Sequence, residues 1–159
     1  LELKRPIPIR YPRGTGNVVN WKQPFKKIEI GKGICLKKGT KTAILSIGTI
    51  AKNVSDALDF VNHKNYFSHY DMRFVKPLDI SLLHEIFKSH QTVITIEDGT
   101  IKGGFGSSVL EFASENNYQN KIKLLGIPDE FIEHGSIFRL QHKLHLDPKN
   151  LVIEFNFYS

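Results

Sequence analysis

The chain has 159 residues, of which 40% are hydrophobic and 24% are charged, a composition typical of one ordinary globular domain. No apolar run approaches the roughly 20 residues that a membrane-spanning helix needs. Cys35 is the only cysteine, so an intrachain disulfide is excluded. We therefore expect no membrane partner and a cytoplasmic location.

The net charge of +6 is unevenly distributed along the chain. Residues 1–41 carry eleven Lys and Arg against two Glu, whereas the rest carries eleven against fourteen acidic residues. A basic segment can indicate nucleic-acid binding, but prolines and glycines interrupt this one and it contains no nucleic-acid-binding motif. We therefore expect no nucleic-acid partner, and favour a linker or a surface that faces an anionic substrate or another domain.

The hydrophobic pattern of the first half predicts strands that alternate with one helix. Apolar and basic residues alternate in the first strand, and the helix carries an apolar stripe that includes Val54, Ala57 and Leu58. The predicted elements are a strand within 5–16, a linker at 17–25, two or three short strands within 27–48, a helix at 49–62 and a strand at 66–75.

The second half continues the alternation and ends in helices. The last segment prefers strand by propensity, but Asp147 and Pro148 form a helix start signal, so we predict a helix there and expect residues 155–159 to be a disordered tail. The predicted elements are a helix at 82–89 that Ser81 caps, a strand at 92–97, a helix at 107–116, a strand at 121–127, and helices at 136–143 and after residue 147.

Strands that alternate with helices predict an α/β fold. We expect a three-layer α/β/α domain with a mostly parallel five-stranded sheet, one antiparallel edge strand, and helices on both faces. Ligands bind at the carboxyl ends of the strands in sheets of this kind.

The segment DMRFVKPLD (71–79) places an arginine at the end of an otherwise apolar strand. On a strand, Asp71 and Arg73 share one face, whereas Met72 and Phe74 share the other. Arg73 either forms a structural ion pair, with Asp71 or a helix C-terminus, or offers its planar guanidinium to a carboxylate or phosphate ligand. From the residues alone we favour the ion pair.

The segment IKGGFGSS (101–108) puts glycines before a predicted helix. Such a loop can bind phosphate, but it matches neither GxGxxG nor the P-loop pattern, so we favour tight turning, close packing or an interface. Glu97 and Asp98 precede this loop and point to opposite faces of a strand. They predict a loop-anchoring or interface role and not a shared acid–base dyad.

The sequence contains no self-contained catalytic set. None of the seven histidines lies in an HxxxH or HExxH pattern, so we predict surface histidines. His142 and His145 are three apart on a predicted helix but lack a third metal ligand. Cys35 and Ser46 lie in no known nucleophile motif.

Several segments in order resemble the 1-deoxy-D-xylulose-5-phosphate synthases of the transketolase superfamily. They are IRYPRGTG, IGKG, AILSIGT, DMRFVKPLD, SHQTVITIEDGTIKGGFGSSVLEF and GIPDEFIEHGS. The resemblance implies a C-terminal fragment. Residues 1–16 would be the last strand of the pyrimidine-binding domain, 17–25 a linker, and 26–159 the transketolase C-terminal domain.

The resemblance implies a reaction for the full-length enzyme. That enzyme condenses pyruvate with D-glyceraldehyde 3-phosphate, with loss of CO₂, and uses thiamine diphosphate and Mg²⁺. The Gly-Asp-Gly motif that holds the diphosphate and its magnesium is missing here, and so is the activating glutamate. The fragment alone is therefore expected to be inactive and to bind neither cofactor, and its expected partners are the cofactor-binding domains and a second copy in a homodimer.

The resemblance also implies roles for two arginines. Arg10 and Arg73 are expected to bind the phosphate of the aldehyde substrate. Arg13 is less favoured, because on a strand it faces the other way from Arg10. The chain departs from the family where His134 replaces a glutamine and where EDGT replaces a Glu-Glu-Asn segment.

Two other interpretations stay open. The beta subunits of pyruvate-type dehydrogenases have a similar last domain, although they typically lack IRYPRG. The other is a purely structural dimerisation domain.

Overall fold

The computed structural model describes residue 24 and residues 27–159. The predicted strand within 5–16, most of the linker at 17–25, and both Arg10 and Arg13 lie outside the described residues.

Five strands of the described chain form one mixed sheet in the order β1-β3-β2-β4-β5. The edge strand β1 pairs antiparallel with β3, and all other neighbouring strands are parallel. The strands are β1 (Ile34–Lys37), β2 (Thr42–Ile47), β3 (Phe67–Asp71), β4 (Thr92–Thr100) and β5 (Lys121–Ile127). The predicted sheet is therefore confirmed.

Five α-helices within the described residues complete the three layers. The helices are α1 (Ala51–Leu58), α2 (Ile80–Ser89), α3 (Phe105–Glu115), α4 (Ile137–Lys143) and α5 (Pro148–Asn156). Helices α1 and α5 pack against one face of the sheet, and α2 and α3 pack against the other. None of these helices is long and apolar enough to cross a membrane.

Strand β2 separates two hydrophobic cores, because successive side chains of a strand point to opposite faces. Ile44 packs in the core under α1 and α5, whereas Ala43 and Leu45 pack in the core under α2 and α3. The first five residues of β2 are all buried. This pattern is typical of a parallel strand that lies between two others and is covered on both faces.

Asp79, and not Ser81, is the N-cap of α2, so the predicted cap is wrong. The Asp79 carboxylate accepts the backbone N–H of Leu82 (3.2 Å), and the Ser81 hydroxyl donates to the same carboxylate (2.8 Å). Asp and Ser are about equally good N-caps. Asp79 also accepts the backbone N–H of Gly33 (3.1 Å), a distant contact that the local pattern does not contain.

The C-terminal residues are packed, so the expected disordered tail is wrong, whereas the predicted helix is confirmed as α5. Phe155 is fully buried, 6.1 Å from Phe67 between ring centroids. The carbonyl of Tyr158 accepts the hydroxyl of Thr42 (3.0 Å). Phe155, one of the aromatic residues that made this segment unlike the family, and the backbone carbonyl of Tyr158 thus attach the segment to the rest of the fold.

We expect Phe155→Ala to lower the free energy of unfolding by about 3–5 kcal/mol, because it opens a cavity under α5. The matched control is Phe157→Ala, whose side chain is 78% exposed and whose loss should cost about 0.5 kcal/mol or less. Urea denaturation of both variants measures the difference. Equal costs for the two would contradict the packing of α5.

Candidate functional site

The carboxyl ends of the parallel strands bring polar residues to one edge of the sheet. Strand β3 ends at Asp71, β2 ends before Gly48, and the end of β4 carries Glu97 and Asp98. Arg73 lies two residues beyond β3. The predicted site residue in the described chain is therefore at the edge where such sheets bind ligands.

Arg73 does not lie on a strand, so the predicted strand through residue 75 and its alternation of faces are wrong. The backbone of Arg73 has a left-handed φ of 58°. The N–H of Phe74 donates to the carbonyl of Met72 (2.6 Å), which closes a three-residue γ-turn around Arg73. A left-handed arginine costs on the order of 1–3 kcal/mol. The turn takes the side chain of Arg73 out of the alternation of faces that a strand would have.

Asp71 is the partner of Arg73 at this turn. One carboxylate oxygen of Asp71 accepts the backbone N–H of Arg73 (3.1 Å), and the other lies 3.9 Å from Nε of Arg73. The side chains are 27% and 32% exposed respectively. The structural ion pair therefore exists, but its N–O distance is too long for a hydrogen bond, and the guanidinium keeps donors for a ligand.

Glu97 anchors the glycine-rich loop, as its position predicted. Its carboxylate accepts the backbone N–H groups of Phe105 (3.0 Å) and Gly106 (2.9 Å) at the start of α3. A Cβ atom on Gly104 would clash with this carboxylate. Because a buried acidic side chain occupies the N–H groups at this helix start, the loop is built for packing, and its N–H groups are not offered to a phosphate.

Asp98 and Asp79 hold two further loops at the same edge. Asp98 accepts the hydroxyl of Thr49 (2.6 Å), which follows β2. Asp79 is 5% exposed and receives donors from Lys32, Gly33, Ser81 and Leu82. Burial alone raises the pKa of Asp79, but these hydrogen bonds outweigh it and lower the pKa. The IGKG segment is thereby fixed to the end of DMRFVKPLD, a connection that the sequence pattern does not indicate.

Two histidines are buried, so the prediction of surface histidines is wrong for His69 and His90. Nε2 of His69 lies 2.8 Å from the Ser46 hydroxyl, and its Nδ1 lies 3.4 Å from the Ser55 hydroxyl. Ser46 in turn donates to the carbonyl of Tyr70 (3.3 Å). The hydroxyls satisfy a neutral ring that donates at Nε2 and accepts at Nδ1.

His90 is held in a similar way at the opposite end of the strands. Its Nε2 lies 2.8 Å from the Ser68 hydroxyl, and its Nδ1 lies 3.1 Å from the carbonyl of Ile86. Burial lowers the pKa of His90. Both buried histidines are thus structural, because hydroxyl and carbonyl groups of the fold take up their ring nitrogens.

The described residues offer one loosely paired guanidinium at the carboxyl edge of the sheet, that of Arg73. The Ser46–His69 pair is enclosed, so it cannot meet a substrate. In residue 24 and residues 27–159, no group of three or more His, Cys, Asp or Glu side chains is arranged to hold a metal ion. Arg73 is the predicted site residue that this part of the chain presents; whether Arg10 lies near it stays a prediction.

The chain matches a known protein family and is similar to curated proteins of known name. Residues 31–151 match the family described as transketolase, C-terminal domain. A 1-deoxy-D-xylulose-5-phosphate synthase of Phocaeicola vulgatus is 45% identical over 150 residues, which are 93% of this chain and 24% of that protein. The synthase of Cytophaga hutchinsonii is 47% identical over 149 residues, 93% of this chain and 23% of that protein.

A solved structure shares the fold. It is described as a split gene transketolase, inactive beta4 tetramer, and it is similar with a TM-score of 0.75 and 28% identity. The match covers 84% of this chain and 44% of that one. The chain spans about a quarter of the length of the curated relatives that it matches.

We expect Glu97→Gln to lower the free energy of unfolding by about 2 kcal/mol, because a charged acceptor of two buried N–H groups is replaced by a neutral amide. The neighbouring exposed carboxylate provides the control, and Asp98→Asn should cost about 0.5 kcal/mol. Urea denaturation at neutral pH measures both. An equal cost at the two positions would show that Glu97 does not anchor α3.

We expect His69 to make the fold less stable in acid. Burial, together with the charge of Lys37, lowers the pKa of His69 to about 4. The unfolded state therefore binds a proton near pH 6.5 that the folded state rejects until about pH 4. Above pH 6.5 the His69 ring does not reduce the free energy of unfolding. As the pH falls toward 4, the free energy of unfolding decreases by up to about 3 kcal/mol.

Comparing the wild type with His69→Gln isolates this effect. Gln keeps a donor and an acceptor but does not titrate, so the stability difference between the two proteins should shrink as the pH falls from 7.5 to 4.5. Urea denaturation at several pH values measures the difference. A difference that does not change with pH would contradict the assignment of His69 as a buried neutral ring.

Proposed function

Because the chain belongs to the transketolase C-terminal domain family, we propose that it is the C-terminal part of a 1-deoxy-D-xylulose-5-phosphate synthase. The two synthases that are 45% and 47% identical over 93% of the chain support this. The chain spans about a quarter of their length. The proposed reaction therefore belongs to the whole enzyme: pyruvate is condensed with D-glyceraldehyde 3-phosphate, and CO₂ is released.

The proposed domain division follows from the same resemblance. Residues 1–16 are the last strand of the preceding pyrimidine-binding domain, 17–25 are a linker, and 26–159 are the transketolase C-terminal domain. The family match at 31–151 lies inside the third segment. The first described strand begins at Ile34, which is consistent with a domain that starts after the linker.

The position of Arg73 carries the functional proposal. It stands at the carboxyl edge of the sheet, on a turn that costs free energy, with a guanidinium that is only loosely paired. Such a group suits the phosphate of the aldehyde substrate, because charge-assisted contacts from a guanidinium are strong and directional. Phosphate binding far from the reacting carbon helps to hold that carbon in place. Arg10 is proposed as the second phosphate ligand.

Thiamine diphosphate and Mg²⁺ are proposed to bind elsewhere in the whole enzyme. The described residues do not fit them. Glu97 occupies the N–H groups at the glycine-rich helix start, and its negative charge opposes a diphosphate there. The described part of the chain also lacks a cluster of metal ligands. The fragment alone is therefore proposed to be inactive.

The proposed partners are the cofactor-binding domains of the same enzyme and a second copy in a homodimer. The split transketolase of similar fold is described as a tetramer, which supports an oligomeric setting. The exposed free thiol of Cys35 supports a reducing compartment, the cytoplasm.

We expect Arg73→Gly in the full-length synthase to lower kcat/KM for glyceraldehyde 3-phosphate. The decrease should correspond to a loss of about 2–3 kcal/mol of transition-state stabilisation. Glycine adopts a left-handed φ freely, so this variant removes the side chain and preserves the turn. The value for unphosphorylated glyceraldehyde, measured with the same pyruvate concentration, should be nearly unchanged. Steady-state kinetics on the two aldehydes provide the test.

Two further variants control this measurement. Arg73→Lys keeps a positive charge without the planar fork and should lose part of the effect. Arg139→Ala removes an exposed arginine on α4 and should change neither substrate. An equal loss on both aldehydes for Arg73→Gly would make Arg73 a structural residue, and no loss would leave this domain as a scaffold.

A further inference from the structure

Asp71 contacts Arg73 through two different interactions that a mutation can separate. One oxygen accepts the backbone N–H of Arg73 at 3.1 Å, which is a hydrogen bond. The other oxygen faces Nε at 3.9 Å, which is a charge contact without a hydrogen bond. The first needs only an acceptor atom, and the second needs a negative charge.

The backbone hydrogen bond acts on the conformation of the turn. An aspartate or asparagine side chain that accepts the N–H two residues later stabilises a local turn. Here that N–H belongs to Arg73, whose φ of 58° is unfavourable for any residue other than glycine. The γ-turn bond from Phe74 to Met72 closes the other side of the same residue. Two hydrogen bonds therefore hold Arg73 in a backbone conformation that it would otherwise leave.

The charge contact acts in the opposite sense on a bound anion. A carboxylate near the guanidinium repels a phosphate and competes for the same donors. Among the ion pairs of the described residues, Asp71 is the only acidic partner of Arg73. The contact at 3.9 Å leaves both side chains about a third exposed, so solvent screens it and its contribution to the fold is small.

We infer that Asp71 is a positioning residue for Arg73, and that this positioning depends on its acceptor oxygen and not on its charge. Asp71 holds the left-handed turn from which the guanidinium reaches the substrate phosphate. Its negative charge weakens phosphate binding slightly. This inference rests on the proposed function of Arg73 and extends it to a residue that does not itself touch the substrate.

Asp71→Asn and Asp71→Ala in the full-length synthase separate the two interactions. Asn keeps the acceptor and removes the charge, so KM for glyceraldehyde 3-phosphate should stay the same or fall by up to about fivefold. Ala removes both, so KM should rise about five- to tenfold. In both variants kcat should be close to that of the wild type, because Asp71 does not contact the reacting atoms. Equal KM values for Asn and Ala would overturn the inference, on whichever side of the wild type they fall.

A second measurement does not depend on substrate. Amide hydrogen exchange of Arg73, followed by NMR in the 159-residue chain, reports whether its N–H is held. Exchange should become faster in Asp71→Ala and stay slow in Asp71→Asn. If Arg73→Gly leaves KM for the phosphorylated aldehyde unchanged, the proposed function of Arg73 fails, and the exchange rates alone decide whether Asp71 holds the turn. Unchanged exchange in Asp71→Ala would overturn the inference.

Discussion

The pairing of β2 with parallel neighbours on both sides is the constraint from which the other features follow. A strand in that position has no free edge and must be covered on both faces. Its residues therefore alternate between two cores. Helices α1 and α5 complete one core, and α2 and α3 complete the other. Parallel pairing also directs the carboxyl ends of β2, β3 and β4 to one edge of the sheet. The polar residues that follow these strands therefore lie at the same edge.

Carboxylates predominate at that edge, and three of them hold neighbouring segments in place. Glu97 holds the start of α3, Asp98 holds the segment after β2, and Asp79 joins the loop before β1 to α2. An anion would be repelled from such an edge if nothing opposed the negative charges. Arg73 supplies a positive group at this edge whose pairing is loose, so the proposed anion binding depends on how its side chain is presented.

The core could be predicted from the sequence, whereas the connections at the edge could not. Sequence signals located the five strands and the five α-helices of the described residues, mostly through apolar spacing that matches the element, although α5 was predicted from its Asp147–Pro148 start signal against its propensity. Several of the errors fall where a distant partner contributes. Asp79 accepts the N–H of Gly33 besides capping α2, Ser46 and Ser55 hold His69 in the interior, and Thr42 binds the C-terminal segment. A local pattern contains none of these partners.

The end of β3 is the most informative error. The pattern of residues 71–75 continues a strand, and nothing in it requires the chain to leave the sheet after Asp71. The chain nevertheless adopts a left-handed turn at an arginine, where glycine would cost less. A glycine would satisfy the fold alone, and the proposed phosphate binding by the side chain gives a reason for an arginine at this position. Hydrogen bonds from Arg73 to Asp71 and from Phe74 to Met72 hold this turn, and in the proposal the rest of the phosphate site lies in residues outside this domain.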